Sequence, residues 1–183
     1  MGQMMSPDLS SMAGKEFHMV VSKTGREVDT READAILYQV SPEERTNFGM
    51  IFNSMFTDLP GGTVKINDSW TSRDSVTFND GERFTTLVIN GKHTLTDFTE
   101  SGGVNCAEIT AVYDGLMKGK VIGNGMEMDL NGKITGTGTW LFDIEKGQLV
   151  KDSTVGKAAG TLSMSQGDLG YTRTFTNITQ LLK

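Results

Sequence analysis

Apolar and polar positions alternate with a period of two along most of this chain, and residues 120–150 hold the clearest example. Ile134, Gly136, Gly138, Trp140 and Phe142 share one parity, against Thr135, Thr137, Thr139 and Leu141 on the other. Side chains of a strand point alternately to its two faces, so one face is apolar or small and the other is mostly threonine. The run before it repeats the pattern, with Ile122, Met126, Met128 and Leu130 against Gly123, Gly125, Glu127 and Asp129. Asn131-Gly132 between the two runs predicts a tight hairpin turn, because both residues tolerate positive φ.

The same grammar extends over the second half of the chain. Strands are predicted at Ser69–Phe78, Glu82–Ile89, Lys92–Glu100, Val104–Asp114, Lys118–Leu130, Lys133–Asp143, Gln148–Thr154, Lys157–Ser165 and Tyr171–Thr176. Asn67-Asp68, Asn79-Asp80-Gly81, Asn90-Gly91, Ser101-Gly102-Gly103, Asn131-Gly132 and Glu145-Lys146-Gly147 punctuate them. Short turns at spacings of about ten residues predict a meander in which each strand pairs with the next. Gly123, Gly125, Gly136 and Gly138 fall inside the predicted strands, at an expected cost of roughly 0.5–1 kcal/mol each relative to alanine. Glycine is tolerated there where a sheet bends or where a bulky neighbour lies on the backbone, with Trp140 and Phe142 as the candidate neighbours.

The first third of the chain reads differently. Residues 1–14 lack a period and are expected to form a flexible arm. Lys15–Ser22 and Arg26–Thr30 are predicted strands joined by a turn at Lys23-Thr24-Gly25, and residues 31–40 fit a short helix as well as a strand. One amphipathic helix is predicted over Pro42–Asp58. Ser41 and Glu44 have the spacing of a capping box, and Pro42 suits a first turn. Phe48, Ile51, Phe52, Met55 and Leu59 form one stripe, whose burial is worth roughly 1.5–3 kcal/mol per side chain. Leu59-Pro60-Gly61-Gly62 ends it.

The expectation is a mainly β protein of one domain. After the arm, residues 15–62 form a hairpin plus helix and residues 63–176 an antiparallel meander. About eight to ten strands make a strongly curved sheet or open half-barrel wrapping one helix.

Composition narrows the function classes. The chain has 183 residues with 17 Lys+Arg against 23 Asp+Glu, a net charge of −6, which opposes nucleic acid or an anionic membrane as partner. A single cysteine, Cys106, excludes an intramolecular disulfide. No apolar run is long enough for a membrane helix, and Met1–Gly14 lacks the pattern of a signal peptide.

Candidate chemistry is sparse. His18 and His93 stand on separate strands without metal-ligand spacing, so they read as ordinary half-exposed strand histidines and no metal or other cofactor is expected. Cys106 has no base near it in sequence and reads as a packed thiol. The chain contains no Gly-x-Ser-x-Gly elbow and no phosphate-binding loop. Gly136-Thr137-Gly138 lies in a strand, the wrong context for a nucleotide fingerprint. The Asn/Asp turns at 67–69 and 79–82 lack the ligand spacing of a calcium loop, and turn formation accounts for them. Asn67 and Asn177 begin glycosylation-type triplets, a pattern frequent by chance. Among the eleven methionines, Met126 and Met128 share a face with Ile122 and Leu130. Such flexible thioethers fill core gaps and can also line a pocket for apolar ligands.

Three segments carry a resemblance: Lys15–Val28, Leu59–Trp70, and Gly136–Asp143 with Lys146–Leu149. In that order their turns are similar to those of uncharacterised bacterial secreted or lipid-anchored proteins of Bacteroidetes-type genomes, over about residues 5–165. Asn67 stands where that pattern usually has glycine. The resemblance implies a periplasmic or cell-surface location and a larger precursor with an export signal. The predicted architecture is also loosely similar to that of periplasmic lipoprotein and lipid carriers.

Two functional classes follow. The first is a non-enzymatic binding module of the cell envelope, holding an apolar or lipid-like ligand in a cavity between sheet and helix. Its lining would be Phe52, Met55, Met126, Met128, Trp140 and Phe142. The second is a structural or protein-interaction module with a filled core and an exposed apolar patch. A hydrolase ranks below both, because it would require His18 or His93 to meet Asp or Ser in a cleft.

Overall fold

The computed structural model describes residues 10–25, 27–41, 44–49, 58–79, 83–123 and 125–180. They fall in two compact units, divided after Gly61.

In the first unit a 3₁₀ turn at Ser10–Met12 precedes β1 (Val20–Val21), which pairs antiparallel with β2 (Glu27–Asp29). The predicted turn joins them, and the Gly25 N–H donates to the Ser22 carbonyl at 3.0 Å. A single helical turn, α1 (Arg31–Asp34), leads into β3 (Leu37–Ser41), so the ambiguous segment 31–40 is helix first and strand second. β3 pairs with β4 (Glu44–Asn47). Ala33 and Ile36 are buried, and the Phe48 ring stands edge-on to Phe17 at 5.5 Å and to Tyr38 at 6.4 Å.

β4 occupies the opening of the predicted helix. Ser41 lies opposite Glu44 in the β3–β4 register. The Ser-x-x-Glu spacing of a capping box is also the spacing of two residues facing each other across a tight hairpin, and here the hairpin prevails. Residues 50–57, with Ile51, Phe52 and Met55 of the predicted stripe, lie outside the described residues, so a packed amphipathic helix is not established.

The second unit is one antiparallel sheet of six strands in sequential order: β5 (Ser69–Asn79), β6 (Arg83–Ser101), β7 (Val104–Gly123), β8 (Met126–Asp143), β9 (Gln148–Met164) and β10 (Gly167–Gln180). β5 and β10 are its edges, so the sheet is open and not closed into a barrel. The meander is as expected, but the strands run 11 to 20 residues rather than about ten. Asn90-Gly91 lies inside β6 and Asn131-Gly132 inside β8, where both expected hairpins are absent. Gly132 pairs with Met117 on one side and Gly160 on the other.

The reason lies across the sheet. A Cβ at Gly132 would collide with the Tyr171 hydroxyl, so this glycine makes room for a ring from β10 instead of turning the chain. The rings covering strand glycines belong to Tyr171, Phe175, Tyr113 and His93, not to Trp140 and Phe142.

Real turns lie at Gly102-Gly103 and 144–147. In the latter, the buried Asp143 carboxylate accepts the N–H groups of Glu145 and Lys146 at 2.9 and 3.0 Å, and the Gly147 N–H donates to the Asp143 carbonyl. These bonds close the turn and satisfy the buried Asp143 carboxylate.

Register assigns the two faces. One carries Trp70, His93, Leu95, Ile109, Ala111, Tyr113, Ile134, Trp140 and their cross-strand partners. Its fully buried part is at Leu95, Ile109, Ala111 and Trp140. The other face carries Lys118, Asp129, Lys133, the threonines of β8 and Thr172, Thr174 and Thr176 of β10, mostly exposed.

Candidate functional site

The apolar face brings four rings together from four strands. Trp70 of β5 lies opposite His93 of β6, and His93 opposite Ala111 of β7, itself opposite Gly138 of β8. Two large residues are thus followed by two small ones. Tyr113, two residues beyond Ala111, and Trp140, two beyond Gly138, fill the room left over the small pair. The His93 ring is 4.9 Å from Trp140, 5.7 Å from Trp70 and 6.0 Å from Tyr113, and Tyr113 is 6.2 Å from Trp140. These are offset and edge contacts of the favourable kind, at van der Waals separation.

His93 is 1 % exposed, at the centre of the group, and its Nε2 shares a hydrogen bond with the Ser72 hydroxyl at 2.8 Å. The expectation of a half-exposed strand histidine is corrected here, because register sets His93 among three other rings. A serine and a histidine do meet, but the imidazole is enclosed by rings rather than presented in a cleft. His18 pairs instead with exposed Glu32, Nδ1 to Oε2 at 3.0 Å. No group of three His, Cys, Asp or Glu side chains able to hold a metal occurs among the described residues.

A carboxylate borders the rings. Asp152 of β9 lies opposite Trp140, accepts a hydrogen bond from the Thr154 hydroxyl at 3.0 Å and another from the Trp140 side chain. Burial raises its pKa above the ordinary carboxylate value, and the two hydrogen bonds oppose that rise. Burial also drives the Tyr113 hydroxyl up, aided by the negative charges of Asp152 and Asp74. Among the described residues no cationic side chain forms a salt bridge with Asp152. Gly138 lets Tyr113 and Thr154 pack directly onto the backbone at the centre of this arrangement. A Cβ there would stand 2.9 Å from Thr154 Oγ1, 3.3 Å from Tyr113 Cε2 and 3.5 Å from the Tyr113 hydroxyl.

The residues expected to line a ligand site are placed as follows. Trp140 is buried within the ring cluster and Phe142 is half-buried on the same face. Met128 is half-buried and Met126 exposed, also on that face. Because β8 runs unbroken, Met128 and Trp140 are separated by roughly 40 Å of extended strand. The four do not converge. Phe52 and Met55 lie outside the described residues. Trp70, Ser72, His93, Tyr113 and Asp152 were not anticipated as a group, since only the register of four ladders brings them together.

On the threonine face a shallow depression of about 340 Å³ is lined by Thr110, Val112, Thr137, Thr139, Ser153 and Val155 among others. No described helix is long and apolar enough to cross a membrane. No protein-family model, curated protein or solved structure matches this chain.

Proposed function

We propose that this protein is a non-enzymatic binding module of the cell envelope that holds an apolar or lipid-like ligand against the apolar face of the six-stranded sheet. The observation that carries this reading is the partial exposure of that face beyond the ring cluster. Leu87, Ile89, Met117, Ile134, Ala158 and Leu162 are all half-buried. They sit in adjoining rows interleaved with Gly115, Gly132 and Gly160, with Ile134 packed onto Gly115 and the Tyr171 ring onto Gly132. An aliphatic chain laid there gains about 0.8 kcal/mol per methylene removed from water. The envelope location rests on the resemblance of the turn segments to secreted and lipid-anchored proteins.

Organic extraction and native mass spectrometry of the purified protein test the reading. A co-purifying amphiphile, released by solvent and rebound on titration, supports it. A clean polypeptide mass, together with tryptophan fluorescence unmoved by any single-chain amphiphile, counts against it.

A second reading is favoured by one observation on the opposite face. Val112 and Val155, 61 % and 48 % exposed, flank Thr137 there, with Leu116 exposed nearby. Exposed apolar side chains on this largely polar face, Phe84 and Ile178 among them, suit a structural or protein-interaction module. Charge substitutions at Val112 and Val155 that abolish a pull-down partner, while leaving amphiphile binding absent, would favour it over the first.

A further inference from the structure

We propose that β10 is a self-association edge: two copies of the chain pair antiparallel along it, about a two-fold axis at Thr174, and join their sheets into one. The inference stands apart from the ligand reading, because it uses the rim of the sheet and neither of its faces.

An edge strand leaves the N–H and C=O of every second residue without a ladder partner. Soluble proteins blunt such rims by short length, proline, lysine, a bulge or a covering segment. β10 carries none of these. It runs 14 residues, Gly167–Gln180, without proline or lysine, and it pairs with β9 along its whole length without a shift of register. Every residue of it except Tyr171, Phe175 and Thr179 is exposed. The Tyr171 hydroxyl and the Phe175 ring reach inward over Gly132 and Gly156 rather than outward across the rim. Among the described residues, β10 makes no backbone hydrogen bond outside the β9 ladder.

Charge and length select the occupant. When both copies show the same face, a two-fold axis falls on one residue, which then meets itself. An axis at Thr174 pairs the whole of 168–180. It sets Thr172 opposite Thr176 of the second copy, Arg173 opposite Phe175 and Asp168 opposite Gln180, so threonines pair across the join and no like charges meet. The neighbouring axis, at Arg173, opposes two guanidinium groups. The same rule disfavours β5, the other edge. Its longest self-pairing is centred on Asp74 and opposes two carboxylates, and a shift of the axis to Arg73 opposes two guanidinium groups. A contact between β10 and β5 leaves a free edge at each end and grows into an open fibre, whereas the contact between two β10 strands is isologous and closes at two copies.

Sedimentation equilibrium of the full chain over a concentration series tests this, with Thr174→Lys, Thr174→Asp and, at an exposed position of β5, Ser75→Lys. The unmodified chain is expected to sediment at twice the chain mass at about 100 μM and to dissociate on dilution. Thr174→Lys and Thr174→Asp each set like charges against one another at the axis. Each is expected to weaken the dimer about tenfold, and an equimolar mixture of the two to restore it. Ser75→Lys is expected to change nothing. Under mild oxidation Thr174→Cys is expected to cross-link two copies and Thr176→Cys is not, because only the axial position meets itself within disulfide reach. Should the Thr174 variants prove unfolded by circular dichroism, hydrogen exchange of the unmodified chain decides: the amides of 168–180 gain protection as concentration rises and those of β5 do not. A monomer at every concentration, a dimer lost in Ser75→Lys but kept in both Thr174 variants, equal cross-linking at 174 and 176, exchange in β10 that is independent of concentration, or growth into fibres overturns the proposal.

Discussion

Trp140 and Asp152 face each other across the β8–β9 ladder, and the tryptophan side chain donates a hydrogen bond to the carboxylate. One residue closes the buried ring cluster and the other begins its polar border. The pair therefore marks the line where the sheet stops being core and starts being surface.

The ionisation of Asp152 should be visible in stability. Its native pKa is raised above the ordinary 3.8, so the native chain keeps a proton that the unfolded chain releases. Between those two values stability falls as pH rises. Asp152→Asn, which cannot ionise, is expected to be at least as stable as the unmodified chain at neutral pH, with its advantage shrinking as pH falls from the native value to the unfolded one. Urea midpoints across that range check this. A variant that loses stability at neutral pH but not in acid would contradict it. Asp29 provides the opposite sign: Arg31 holds its pKa down to about 2, so its contribution is present above 3.8 and lost as pH falls toward the native value. Arg31 is exposed and Asp29 only half-buried, and solvent screening keeps that contribution small.

Gly138→Ala is expected to destabilise by about 1–3 kcal/mol, because the added methyl must displace Thr154, Tyr113 or both. Gly61→Ala, where nothing lies within 4 Å, is the control and should be close to neutral. Chemical denaturation of the two variants decides between crowding and a general intolerance of alanine.

Trp140→Ala is expected to cost about 3–5 kcal/mol, since it empties a volume bordered by His93 and Tyr113. Phe142→Ala, half-buried outside that cluster, should cost less. The order of the two melting temperatures is the measurement, and a reversed order would place the centre of the core elsewhere.

Cys106 is fully buried, and burial with nearby Asp143 raises its thiol pKa. Alkylation by a maleimide in native buffer is expected to be negligible and to become stoichiometric in guanidinium. Fast native labelling followed by mass spectrometry would show that this part of the sheet opens readily.

Hydrogen exchange tests the continuity of β8. The amides of Asn131 and Gly132 belong to a central strand bonded on both sides, so they should be as protected as those of Ile134 and Thr135. Rapid exchange confined to 131–132 would mean that a turn forms there after all.

Alternation along β8 was readable because period two is a property of the strand itself, and it correctly separated Trp140 from Thr139. The turns at Lys23–Gly25, Gly102–Gly103 and Glu145–Gly147 were readable for a similar reason: each is closed within its own few residues. Asn131-Gly132 and Asn90-Gly91 carried the same local signal, yet each lies inside a strand. What distinguishes Gly132 is a ring from Tyr171, 39 positions later in the chain. Likewise, Ser41 and Glu44 satisfy helix cap and hairpin equally well, and pairing of β3 with β4 decides between them.

The chain alone therefore determined that this protein would be an antiparallel meander with one apolar and one threonine-rich face, because those features depend on near neighbours. Tertiary structure decided how long the strands run, which rings gather around His93, and that Asp152 is set beside Trp140. Each of those depends on cross-strand register, and register is the summed outcome of contacts between residues far apart in sequence, which no local pattern records.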